Sequence, residues 1–158
     1  MNNGEIRVLT LRRLLDDNFA GSRLLRGLAE SLNDASLKNY FQNLASRRSQ
    51  FAIELGEEIH FYTGKKVPAS STHWIKKWEE PGRTGKNKCL KNALRAKKLS
   101  LQKYQEALCR IHDGSCREVL LRHKAYLENC IFELKALKSL LKYSAKTEDQ
   151  LDEIHSTS

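Results

Sequence analysis

The stretch Leu37–Tyr62, LKNYFQNLASRRSQFAIELGEEIHFY, decides the fold. Its apolar residues Leu37, Phe41, Leu44, Phe51, Leu55, Ile59 and Tyr62 recur at helical spacing and form one face. At about 100° per residue, Arg48 falls in the middle of that stripe, between Leu44 and Phe51. A guanidinium on a core face needs acceptors, because a charge taken out of water without partners is costly.

The flanking sequence repeats the pattern. A first helix is expected over about Glu5–Leu32, with the stripe Val8, Leu11, Leu15, Phe19, Leu25 and Leu32. Asn18 and Ser22 interrupt it near its middle. Asn33-Asp34 breaks the chain, and Asp34 or Ser36 can cap the second helix by accepting a free backbone N–H. Gly64 supplies the left-handed stop after Thr63. A third helix is expected over about Lys86–Ile111, with Leu90, Leu94, Leu101, Tyr104 and Leu108 on one face and Lys97 at its centre. Asp113-Gly114 turns the chain, and Ser115-x-x-Glu118 reads as a capping box. The fourth helix runs to about Tyr143 on Leu120, Leu127, Ile131, Leu134 and Leu141, with His123 and Cys130 beside the stripe.

Four amphipathic helices make an all-α, up-down four-helix bundle over residues 1–143. Residues 144–158 lose the pattern after Leu151 and Ile154 and read as a frayed or partly helical tail. The outer joints are short, so the helices they connect are antiparallel neighbours. The middle joint is long enough to cap one end or to cross the bundle. Within it, Thr72–Glu80 is expected as a short extra helix with Trp74, Ile75 and Trp78 on one side, stopped by Pro81-Gly82. The two tryptophans suit packing over a bundle end better than a platform for bases.

Composition narrows the function classes. The chain carries 28 Lys and Arg against 19 Asp and Glu, a net charge of +9. Its basic runs are short and dispersed, which favours solvated helix faces over a nucleic-acid surface. There is no membrane-length apolar run and no signal-peptide pattern at the N-terminus. Cys89, Cys109, Cys116 and Cys130 have no framework spacing and read as reduced thiols of a cytoplasmic protein.

Leu37-Lys38-x-x-Phe41, followed by Arg48-x-x-Phe51-x-x-Glu54-Leu55, resembles bacterial four-helix-bundle proteins of unknown function in the ferritin-like superfamily. Gly64, Trp74 and Ser100-Leu101-x-x-Tyr104 extend the resemblance, which covers roughly Val8 to Leu141. It implies a ferritin-like bundle and no particular activity.

Di-iron bundles use inward carboxylates with Glu-x-x-His pairs. Here the resemblance puts Ser22 and Lys97 where that family tends to have Glu. Glu128 and Glu133 have no His three residues on. The one Glu-x-x-His pair, Glu57 and His60, lies about 140–160° from the centre of the stripe and points outward. The central layer is therefore expected to hold Asn18, Ser22, Arg48 and Lys97, which repel a divalent metal. Glu54, Glu58 and Glu128, at the stripe edges, are the candidate charge partners of the two cations. A small anion between Arg48 and Lys97 is the sharper alternative to plain salt bridges. Cys109, His112, Cys116 and His123 bracket the last turn and form a weak zinc alternative, without a standard spacing.

No phosphate loop, nucleophile elbow or His–carboxylate pair on one clear face is visible. The expectation is a non-catalytic structural or interaction module with no cofactor and no intact di-metal centre, possible as a homodimer. One alternative is a stress-related di-iron carboxylate protein. The other is a basic bundle for nucleic acid or an acidic partner, which requires the cations to gather on one face.

Overall fold

Among the described residues, apolar residues at helical spacing form four helices: α1 (Asn3–Glu30), α2 (Ala35–Thr63), α3 (Lys86–Arg110) and α4 (Ser115–Ser156). The computed structural model describes residues 1–67 and 85–156, with side chains described as far as Tyr143. The short helix expected at Thr72–Glu80, with Trp74 and Trp78, lies outside the described residues.

The ends follow local chemistry. Asn2 caps α1 by accepting from the Glu5 N–H, and Asp34 caps α2 by accepting from the Leu37 N–H at 2.9 Å. Gly64 closes α2 at φ 72°, the left-handed conformation that favours glycine. Gly114, at φ 89°, makes the last turn. The capping box expected at Ser115 does not take the expected form. Ser115 is the first residue of α4, and its hydroxyl donates to Glu58 on α2 at 2.9 Å. The fourth helix also does not stop at Tyr143 but continues to Ser156.

Each helix packs against two others, α1 against α2 and α3, and α4 against α3 and α2. Partners fix the directions. Arg7 near the start of α1 meets Asp113 just past the end of α3, while Ser31 just past the end of α1 meets Cys89 near the start of α3. Tyr40 near the start of α2 meets Glu133, and Tyr62 near its end meets Cys116. All neighbouring pairs are therefore antiparallel, and the diagonal pair α2 and α3 runs parallel. Consequently α2 ends and α3 begins at opposite ends of the bundle, the crossing alternative for the middle joint.

The apolar interior is in two clusters. One includes Leu25, Leu28, Phe41, Leu90, Ile131 and Leu134. The other includes Leu11, Leu15, Leu55, Ile59, Ile111 and Leu120. Buried polar side chains lie between them: Asn18, Ser22, Arg48, Lys97, Ser100 and His123.

Candidate functional site: a polar layer inside and a basic groove outside

Arg48 reaches from α2 towards α1 and α3 and is 1% exposed. Its Nη2 donates to Asp17 Oδ2 at 3.0 Å, to the Asp17 carbonyl at 3.3 Å and to Ser100 Oγ at 3.0 Å. Asp17 Oδ1 accepts from Lys103 Nζ at 2.8 Å, so one carboxylate joins an interior cation to a surface one. Beside them Ser22 Oγ donates to the Ala45 carbonyl at 2.9 Å. That leaves its lone pair for the Ser49 hydroxyl at 2.6 Å. The fit depends on Gly21. A Cβ there would lie 2.9 Å from Arg48 Nη2 and 3.0 Å from Cζ. The mid-helix glycine is the space the guanidinium occupies.

A second row of hydrogen bonds crosses the bundle and has one consistent direction. Asn18 Nδ2 donates to the Leu14 carbonyl and to Tyr104 Oη, both at 2.8 Å. Having accepted there, Tyr104 donates to His123 Nδ1 at 2.8 Å. His123 then carries its proton on Nε2 and donates to Glu54 Oε2 at 3.1 Å. Arg122 meets the same carboxylate oxygen at 2.7 Å. Burial pushes His123 down to about 4, against the opposing pull of Glu54. It is therefore neutral at pH 7, and its contact with Glu54 is a hydrogen bond to a carboxylate. Burial works to raise the Glu54 carboxyl, but the Arg122 and His123 hydrogen bonds outweigh it and lower it. Burial raises the Tyr104 phenol well above its usual range, so it stays a hydroxyl donor. The Phe51 ring stacks on His123 with centroids 3.7 Å apart.

Lys97 stands apart from both rows. Its Nζ is buried and has no hydrogen-bond partner, with the Tyr126 ring face 5.5 Å away. Burial first, then the nearby Arg48 charge, lower it to about 7.

The four residues expected in the central layer are all buried there. Their charge partners differ from expectation. Arg48 is matched by Asp17, and Glu54, Glu58 and Glu128 go elsewhere: to His123 and Arg122, to Ser115, and to Lys124 on the surface of α4. Periodicity gives directions around an axis and cannot say which edge residue a long side chain reaches. Gly21, an isolated glycine inside a helical pattern and four residues after Asp17, was the available signal of a close approach there. The zinc alternative does not assemble. Cys116 and His123 are buried while Cys109 and His112 are exposed, and His123 uses both ring nitrogens on Tyr104 and Glu54. Among the described residues no group of three His, Cys, Asp or Glu is placed to hold a metal. Glu57 and His60 are exposed.

A surface groove of about 540 Å³ between α1 and α3 has a wall of mixed sign, with Asp16, Asp17 and Glu106 among Arg13, Lys103 and Arg110. The α3–α4 face is different. Lys88, Lys91, Arg95 and Lys98 share one side of α3, and Lys135, Lys138 and Lys142 share one side of α4. A groove of about 350 Å³ runs here, lined by Lys91, Leu94, Arg95, Lys98, Leu99, Gln102 and Lys138. The sequence carries no Asp or Glu from Lys86 to Gln105 or from Leu134 to Thr147. Leu99, in the groove, is 52% exposed. The cations read from sequence as dispersed are gathered here by the pairing of two helices.

No helix among the described residues is long and apolar enough to cross a membrane. Comparison of the chain with protein-family models, curated proteins and solved structures finds no match, so the four-helix arrangement is what stands of the family resemblance.

Proposed function

We propose that this chain is a ferritin-like bundle turned to a non-catalytic role, an interaction module whose interior layer holds the helices in place. The ferritin-like reading is supported by the topology: two antiparallel hairpins joined by one connection between opposite ends, the single long crossover of that class. The observation that carries the non-catalytic reading is Arg48 with Lys97 at mid-bundle. A ferritin-type centre needs converging carboxylates there, whereas this layer presents a guanidinium already held by Asp17 and Ser100. Among the described residues that arrangement offers a divalent cation no set of converging ligands.

Native mass spectrometry of the full chain, purified from cells supplied with iron and manganese, tests the reading. The expected native mass equals the denatured mass per subunit. Two metal ions per chain would overturn it and restore an oxidase-type role.

A further inference from the structure

The basic groove between α3 and α4 has an apolar floor and two cationic banks. Phosphate backbones need only the charge; the apolar floor matches a helix with one apolar and one acidic face. This chain contains such a stretch. Thr147–Ile154 reads TEDQLDEI, with Glu148, Asp149, Asp152 and Glu153 around Leu151 and Ile154. It belongs to the end of α4, a helix of 42 residues paired with an α3 of 25. The end of α4 therefore outruns its hairpin partner and cannot fold back into its own groove while the helix is continuous. The overhang past Tyr143, at 1.5 Å per residue, is about 20 Å long, and the groove side of α3 from Lys86 to Lys98 is about 18 Å. Two copies abutting at this end around a two-fold axis would each lay the overhang along the other's groove, an arrangement that closes on itself.

We infer that the α3–α4 groove receives the acidic C-terminal stretch of a second copy of this chain, forming an isologous dimer. The inference rests on the interaction-module reading and names its partner. Lys91, Arg95 and Lys98 supply the charge on one bank, Lys138 on the other, and Leu94 and Leu99 the apolar floor.

Sedimentation equilibrium of full-length chains is the test. The wild type is expected to be a dimer at micromolar concentration, weakened by added salt. The groove variant Lys91→Glu/Arg95→Glu/Lys98→Glu changes only exposed side chains, and circular dichroism verifies its helix content. It is expected to raise the dissociation constant at least about tenfold, since like charges then face each other. The tail variant Glu148→Lys/Asp149→Lys/Asp152→Lys/Glu153→Lys is expected to do the same. Mixed together, the two variants pair groove to tail with opposite charges and form a heterodimer. A monomeric wild type at 100-fold higher concentration, a dimer indifferent to both variants, or a mixture that stays monomeric would each overturn the inference. A monomeric wild type whose binding to duplex DNA is lost in the groove variant would overturn self-pairing yet keep the interaction reading. Two metal ions per chain in the native mass would overturn that reading whatever the oligomeric state.

Discussion

The Lys97 amine is buried without a hydrogen-bond partner. Lys97 titrates at about 7 in the folded chain, against about 10.4 for a lysine in the unfolded one. Below pH 7 both states hold the proton, and the folded state bears the full cost of the buried charge. Between about 7 and 10.4 the unfolded state binds more protons, so stability rises with pH in that window. Lys97→Met removes the titration and keeps much of the volume. The variant is expected to unfold at higher urea concentration than the wild type at pH 6, with the gap narrowing by pH 9.5. An equal gap at both values would mean that Lys97 stays charged across the range. Arg48 and Lys97 were legible as core cations because helical spacing alone places them on the inner face. The match of Arg48 to Asp17 was not. Asp17 sits next to Asn18 at the rim of the stripe, and the choice among rim carboxylates depends on how three helices meet.

At the scale of elements, capping and turn chemistry explains where helices start and stop. Asp34 was readable as a cap, and Gly64 as a stop, since each is a local signal. Ser115 was misread because its local pattern competes with a distant acceptor, Glu58, which only the packed hairpins bring near. Gly114 combines both kinds of constraint. It lies at φ 89°, and a Cβ there would meet Tyr62 Oη at 2.7 Å. Gly114→Ala is expected to destabilise by about 1–2 kcal/mol from the left-handed backbone alone, with the clash in addition. Adding Tyr62→Phe removes the clashing oxygen and should recover only the second part. Urea titrations of both variants measure the division. Full recovery in the double variant would show that the backbone strain is negligible.

For the whole molecule, acid is the expected weak side. Burial keeps His123 down at about 4, below the 6.5 of an unfolded histidine. As pH falls through that interval the unfolded chain takes up a proton that the folded chain refuses, and stability drops. The Glu54 carboxyl, lowered in the fold, acts in the same direction as pH falls through its range. Thermal unfolding from pH 7 to 4 should show Tm falling, more steeply than in His123→Gln, which cannot take up that proton. Equal slopes would remove His123 from the account. The four-helix count and the antiparallel hairpins followed from apolar spacing and short joints. The crossing of the middle joint did not, since its length suits either route; pairs such as Ser31 with Cys89 settle it. The basic groove was hidden for a similar reason. Its two rows sit more than 35 positions apart in the chain and become one surface only when α3 meets α4.

The band of polar side chains between the two apolar clusters has a mechanical consequence. Helices in a uniformly greasy bundle can slip along one another by a turn, about 5.4 Å, and still bury the same kind of surface. Here such a slip would drive the Arg48 guanidinium into a neighbourhood of leucines and strand Asp17, Tyr104 and His123 without mates. The band works like the notch of a ratchet. Such a band is expected to add little to the depth of the energy well and to raise the neighbouring wells, which favours one alignment of the helices.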